Sequence, residues 1–265
     1  MERSSLFEQS GVRPVGVATP PYQSWRRGLA SPVLWQNEVH VWRVNLELPW
    51  SWTFDAALSL DDRDRAARFR FDADRHRFSL ARATLRMILG RYLKAEPAEL
   101  QFRFGPCGKP RLVYSQNERG LRFNLSHSHE LALIAVARDR EVGIDVEFMR
   151  PDFATDEVAE HFFSRAEVQQ LAAIEPESKT QSFFNCWTRK EAYIKARGEG
   201  LSLPLNQFDV SLVPDAPAEL IDSRVDRAEV SRWSFQELFP ASGYAAALAL
   251  EGPFSRMLLW EFIPI

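Results

Sequence analysis

Thiols are scarce in this sequence: two cysteines, Cys107 and Cys186, and neither has a second thiol at metal-ligand spacing. That excludes a thiolate zinc site and a disulfide-stapled scaffold, and two free thiols in a reducing compartment are expected. Excess positive charge is absent too. Lys and Arg number 33 against 36 Asp and Glu, a formal net charge of −3, so no global field favours nucleic acid or an anionic membrane surface. Long apolar runs are missing. The longest, Leu131 to Ala137, is far too short to span a bilayer, and the opening MERSSLFEQSG has no apolar core of the signal-peptide kind. The expectation is a cytoplasmic protein with neither membrane nor nucleic acid as partner. What is present is ordinary globular composition, 45% apolar and 26% charged, in 265 residues, enough for one large domain or two small ones.

Residues 1 to 37 are rich in Pro, Gly, Ser and Arg without a sustained period, and read as an extension draped on the fold or partly disordered. Val39 to Leu48 alternates as a half-buried strand. Asp61 to Arg91 reads as one helix with Leu80, Leu85, Ile88 and Leu89 as its apolar stripe. A strand at Leu100 to Phe104, a Gly-Pro turn through Pro110 and a strand at Leu131 to Ala137 follow. The order then recurs: a helix at Gln181 to Arg197, a segment around Phe208 like that around Phe102 and 106 residues later, and a strand at Tyr244 to Leu250. The spacing predicts an α+β fold of two similar α/β halves, 38–140 and 141–265, meeting near residue 140.

Four constellations could carry chemistry. In Gly143-Ile144-Asp145-Val146-Glu147, strand alternation puts both carboxylates on one face, about 7 Å apart, beside a glycine that lets another group approach. That suits a hard cation such as Mg²⁺, but a solvent-facing sheet edge would look the same. In Trp187 to Lys195, Glu191 and Lys195 stack at i and i+4; alone they would be an ordinary surface pair. The two glycines of Arg197-Gly198-Glu199-Gly200 let the chain turn tightly at that helix's end. Phe123 to His129 holds Ser126 and His127, but there is no Gly-x-Ser-x-Gly elbow and the two side chains diverge, so anion-binding donors fit better than a nucleophilic pair. Arginines crowd Arg63 to Arg77 with aspartates interspersed; most form a solvated face, and one or two could clamp phosphate.

The order of G-K-P, F-N-L-S-H-S, G-I-D-V-E and W-T-R-K-E-A-Y-I-K-A-R-G-E-G-L resembles the 4′-phosphopantetheinyl transferases of the surfactin-synthetase-activating type, from about Trp42 to Leu250. The resemblance implies a pseudo-dimer of two α/β subdomains with the active site between them. It implies that Asp145, Glu147 and Glu191 hold Mg²⁺ against the pyrophosphate of coenzyme A. Arg77, Lys109 and His127 would grip the 3′-phosphate end, with Ser126 supporting that loop and Arg65 facing the ligand. Asp62 stands where some members carry a lysine. Lys195 would face the bridging phosphate, and Glu191, directly or through a metal-bound water, would take the proton of the attacking serine. The implied acceptor is an apo acyl or peptidyl carrier protein, docking at a basic or apolar patch such as Arg68 to Arg82 or Phe162 and Phe163. One chain supplies both halves, so a monomer suffices. The rival readings of the same residues are a Mg²⁺-dependent phosphohydrolase and a non-catalytic carrier-protein or nucleotide-binding module.

Overall fold

A computed structural model describes residues 23–264. Its elements, in chain order, are β1 (Arg26–Arg27), β2 (Glu38–Asn45), α1 (Trp52–Ala57), α2 (Leu60–Ala66), α3 (Asp72–Leu93), β3 (Phe102–Phe104), β4 (Pro110–Leu112), β5 (Leu121–Ser128), β6 (Leu131–Arg138) and β7 (Val142–Phe148). The second part contributes α4 (Asp156–Phe162), α5 (Arg165–Ala172), α6 (Pro176–Arg197), β8 (Phe208–Val210), β9 (Leu220–Ser223), α7 (Glu229–Arg232), β10 (Trp233–Leu238), β11 (Tyr244–Glu251) and β12 (Arg256–Glu261).

The duplication is plain in the topology. Strands β2, β6 and β5 are antiparallel neighbours in that order, and β7, β11 and β10 repeat it. Each half also has a 22-residue helix, α3 or α6, and a short hairpin, β3–β4 or β8–β9. The fold is α+β, a pseudo-dimer of two similar α/β subdomains. The helices start at residues 72 and 176, 104 apart, whereas the hairpins start at 102 and 208, so the 106-residue offset holds for the first strand of each hairpin and is two too long for the helices.

The alternation of side chains builds three cores from two sheets. In β6, Ala132, Ile134 and Val136 pack with Leu80, Leu85, Ile88 and Leu89 of α3. The other face, Leu133, Ala135 and Ala137, meets Val142, Ile144 and Val146 of β7 and Leu248 and Leu250 of β11, joining the sheets back to back. In the second half Ala245, Ala247 and Ala249 face α6. Small side chains there let the helix lie close.

Two sequence expectations change. The predicted helix 61–91 is broken at residues 67–71. The break folds α2 back so that Asp62, fully buried, accepts from Arg82 Nε at 2.7 Å and from Arg86 Nε. An unbroken helix would hold residues 62 and 82 about 30 Å apart. Asp62 is thus an internal anion for two buried arginines, Arg82 and Arg86. The second change concerns the chain's end. β12, expected in the C-terminal half, lies parallel to β2 in the first sheet, with β1 on its outer edge. Residues 1–22 of the predicted extension lie outside the described residues. Gln23 and Trp25 hydrogen-bond the backbone at Glu237 and Phe239, across on the second half.

Candidate active site

The cleft lies where β5, an edge of the first sheet, runs beside β7, an edge of the second. Alternate residues of β5 stitch them together. Asn124 Oδ1 accepts from the Ile144 amide at 2.9 Å, the Ser126 hydroxyl donates to Asp145 Oδ1 at 2.8 Å, and the Ser128 hydroxyl donates to Glu147 Oε2 at 2.9 Å. Asn124 and Ser128 were not singled out from sequence. Their signal was the N-x-S-x-S period of two, which gives one strand face three polar groups inside an otherwise apolar run.

Helix α6 closes the cleft from the other side. It touches β7 at Gly143, where a Cβ would stand 2.0 Å from the Ala192 carbonyl oxygen and 2.3 Å from the Ala196 nitrogen. The group that this glycine lets in is therefore the helix itself. The approach carries Glu191 and Lys195 over Asp145, and Lys195 Nζ donates to Asp145 Oδ1 at 2.5 Å and to Ser126 Oγ at 3.1 Å. The neighbours of Glu191 in sequence point elsewhere. Arg189 is fully buried and donates to Ser211 and Glu237, and buried Lys190 donates to the carbonyls of Leu205 and Phe208 and pairs with Glu167 at 2.7 Å. Those two cations pin the helix while its neighbouring face serves the cleft. The helix ends at Gly198 in the left-handed conformation, φ 73°, as its Gly-x-Gly tail suggests.

Charge in the cleft is unbalanced. Desolvation, then repulsion from Asp145 and Glu191, pushes the Glu147 carboxyl up to about 7, against the Ser128 hydroxyl and Lys195, which pull it down. Glu191 is also raised by desolvation and by Asp145, and Lys195 offsets part of this. Burial alone would depress the Lys195 ammonium, but Asp145, Glu191 and Glu147 overcome it and hold it above the usual lysine range. His127 is lowered by desolvation, then by the cations Lys195 and Arg77. Asp145 is 1% exposed, and its second oxygen, Oδ2, has no hydrogen-bond partner among the described residues. A buried carboxylate oxygen facing two further acids is a strong attractor for a cation. Among the described residues no three His, Cys, Asp or Glu side chains are grouped closely enough to hold a metal ion.

The structure thus brings together Asp145, Glu147, Glu191, Lys195 and Ser126, with His127 and Arg77 alongside. Arg77 donates to Glu47 at 3.0 Å. Arg65 is exposed and stands over the rings of Phe78 and Phe104. Lys109 is not part of this group: it is buried, and its ammonium donates to Glu141, Val142 and Ala196. Phe163 belongs to the core of the second half, and Phe162 is half-buried against it. Beside Glu147 a cavity of about 320 Å³ is lined by Ser128, His129, Phe148, Phe153, Phe184 and Trp187, among others.

An internally duplicated α+β chain with clustered acids and a lysine between its halves defines an enzyme built to handle anionic, phosphate-bearing groups. Residues 46–139 match the family described as "4′-phosphopantetheinyl transferase, N-terminal", and residues 141–249 match the "4′-phosphopantetheinyl transferase superfamily". The 4′-phosphopantetheinyl transferase HetI of Nostoc sp. is 40% identical over 86% of this chain and 94% of its own length. A putative 4′-phosphopantetheinyl transferase of Synechocystis sp. is 35% identical over 73% and 76%, and Sfp of Bacillus subtilis (strain 168) is 33% identical over 64% and 74%. The chain belongs to the 4′-phosphopantetheinyl transferase superfamily and is an enzyme of that class. No helix among the described residues is long and apolar enough to cross a membrane.

Proposed function

We propose that the chain takes the 4′-phosphopantetheine arm of coenzyme A and joins it to a serine hydroxyl of an apo acyl or peptidyl carrier protein, releasing 3′,5′-ADP. The serine oxygen forms a bond to the β-phosphorus on the pantetheine side, and the bond from that phosphorus to the bridging oxygen breaks. The observation that carries this reading is the buried Oδ2 of Asp145, without a hydrogen-bond partner among the described residues, on the carboxyl that repels both Glu147 and Glu191.

Asp145, Glu147 and Glu191 would hold Mg²⁺, since their donors are all carboxylate oxygens and their mutual repulsion asks for a cation. When bound, it would neutralise pyrophosphate charge that the protein alone leaves largely unopposed. Lys195, an ammonium kept charged by its acidic neighbours, would face the bridging phosphate and stabilise charge on the leaving group. The Glu191 carboxylate would accept the serine proton; its raised affinity for protons brings it closer to what a base working near neutrality needs. His127 and Arg77 would serve the 3′-phosphate end and Arg65 would face the ligand, with Ser126 supporting the loop beside them. Lys109 has no free N–H for that task. Both halves of the cleft lie in one chain, so a monomer working in the cytoplasm suffices. The substrate carrier, a small acidic domain, would meet the cleft mouth, where charge complementarity speeds encounter.

Incubation with coenzyme A, Mg²⁺ and an apo carrier protein tests this by mass spectrometry. Gain of one phosphopantetheine arm is expected. No gain with several carriers would return the phosphohydrolase or pure-binding readings. Glu191→Ala should abolish transfer while coenzyme A binding, measured by calorimetry, survives in part; full turnover would remove Glu191 from its role.

A further inference from the structure

Lys109 is the one cation of the G-K-P turn, and the chemistry above leaves it without a task. It sits in the turn that joins β3 to β4, 9% exposed. Its Nζ donates to Glu141 Oε2 at 3.0 Å, to the Val142 carbonyl at 3.0 Å and to the Ala196 carbonyl at 2.8 Å. An ammonium has three hydrogens, and the protein accepts all three.

The identity of the acceptors matters more than their number. Ala196 is in the last turn of α6, where carbonyls lack helical partners and the helix dipole is negative, so a buried cation satisfies both. Val142 opens β7. Glu141 lies where the chain crosses from one half to the other, and it also accepts from Arg111 at 2.6 Å and Arg122 at 3.2 Å, both in the first half. The lysine stem runs beneath the helix cap, its Cδ 3.2 Å from where a Cβ on Gly198 would be. One side chain of the first half therefore ties the entry of β7 to the exit of α6. Those two elements carry Asp145 and Glu147 on one side of the cleft, and Glu191 and Lys195 on the other.

We propose that Lys109 is a positioning residue for the transfer reaction, fixing α6 on β7 so that Glu191 and Lys195 face Asp145, and is not a ligand of the nucleotide's 3′-phosphate. The assignment rests on the transferase reading given above. It is tested with the full chain, an apo carrier protein, and two donors, coenzyme A and 3′-dephospho-coenzyme A. Lys109→Met should lower kcat about ten- to a hundredfold with either donor, at a temperature well below its melting point. The ratio of kcat/KM for the two donors should stay within about twofold of wild type, because no phosphate contact has been removed. Glu141→Gln should show the same pattern with a smaller loss, and it carries the comparison alone if Lys109→Met does not fold. A donor ratio that collapses in the variants would make Lys109 a phosphate ligand and overturn the proposal. Unchanged kcat in folded Lys109→Met would overturn it as well, reducing the clamp to fold stability. Absence of transfer by the wild-type chain would instead overturn the transferase reading, and the assignment with it.

Discussion

The buried histidine His40 illustrates how single residues set the pH range of this fold. Trp42 Nε1 donates to the Tyr92 hydroxyl oxygen at 2.8 Å, which leaves the Tyr92 hydrogen for His40 Nδ1 at 2.7 Å. The ring is 1% exposed, and desolvation drops its pKa from 6.5 to about 4 despite Glu38 nearby. Because the folded value is depressed, protons prefer the unfolded chain once the pH falls below 6.5. Stability attributable to His40 is therefore intact above 6.5 and declines towards pH 4, by at most about 3 kcal/mol. Urea unfolding of wild type and His40→Gln at pH 7.5 and 4.5 measures this, and equal losses in both proteins would rule His40 out as the sensor. Gly143 acts through space and not charge. Gly143→Ala should cost about 1–3 kcal/mol and slow transfer, because a methyl group would force α6 from β7. Wild-type melting and turnover in that variant would show that the close approach is dispensable. The glycine was legible in the sequence as a point of close approach; which element approaches was not, since helix and strand lie some fifty residues apart.

At the level of elements, periodicity located β2, β3, β6, β11 and the long helix α6 but placed no strand at β10 or β12 and missed the break between α2 and α3. The sequence there is helix-compatible throughout, and the reason for the break is tertiary: Asp62 must reach two arginines about three and four turns along the next helix's buried face. Only their shared anion makes the burial of Arg82 and Arg86 tolerable. Asp62→Ala should remove about 3–5 kcal/mol, since it strands two buried guanidinium groups. Asp62→Asn keeps the shape and should lose less. If thermal melts put both variants within a degree or two of wild type, the pairing is not what holds α2 against α3. The acidic pair on β7 was readable by alternation, yet alternation fits a solvated edge equally well. What distinguishes the two outcomes is the second sheet edge, β5, whose Ser126 and Ser128 cover the carboxylates from outside the local sequence.

Across the whole molecule the two halves are less separable than their repeat implies. Matches to the family end at residue 249, and the repeat itself is complete by β11, yet the chain goes on to lay β12 beside β2. Trp260 and Phe262 then enter the core of the first half, against Trp42 and Phe54. The opposite end reciprocates: Gln23 and Trp25 bond to the second half while β1 extends the first sheet along β12. Repeat arithmetic cannot foresee such crossings, because they lie outside the repeated unit. Two buried aromatics at roughly 150–250 Å² each represent about 8–12 kcal/mol of apolar burial as an upper bound. That is comparable with the entire stability of a typical protein of this size, about 5–15 kcal/mol. Removing residues 253–265, which takes away none of the cleft side chains, should therefore abolish cooperative folding and transfer together. Near-ultraviolet circular dichroism and hydrogen exchange along β2 would register the loss. A shortened chain that still melted cooperatively, with β2 amides protected and transfer retained, would show that the first sheet is closed without its last strand and that the halves fold as the repeat alone would have them.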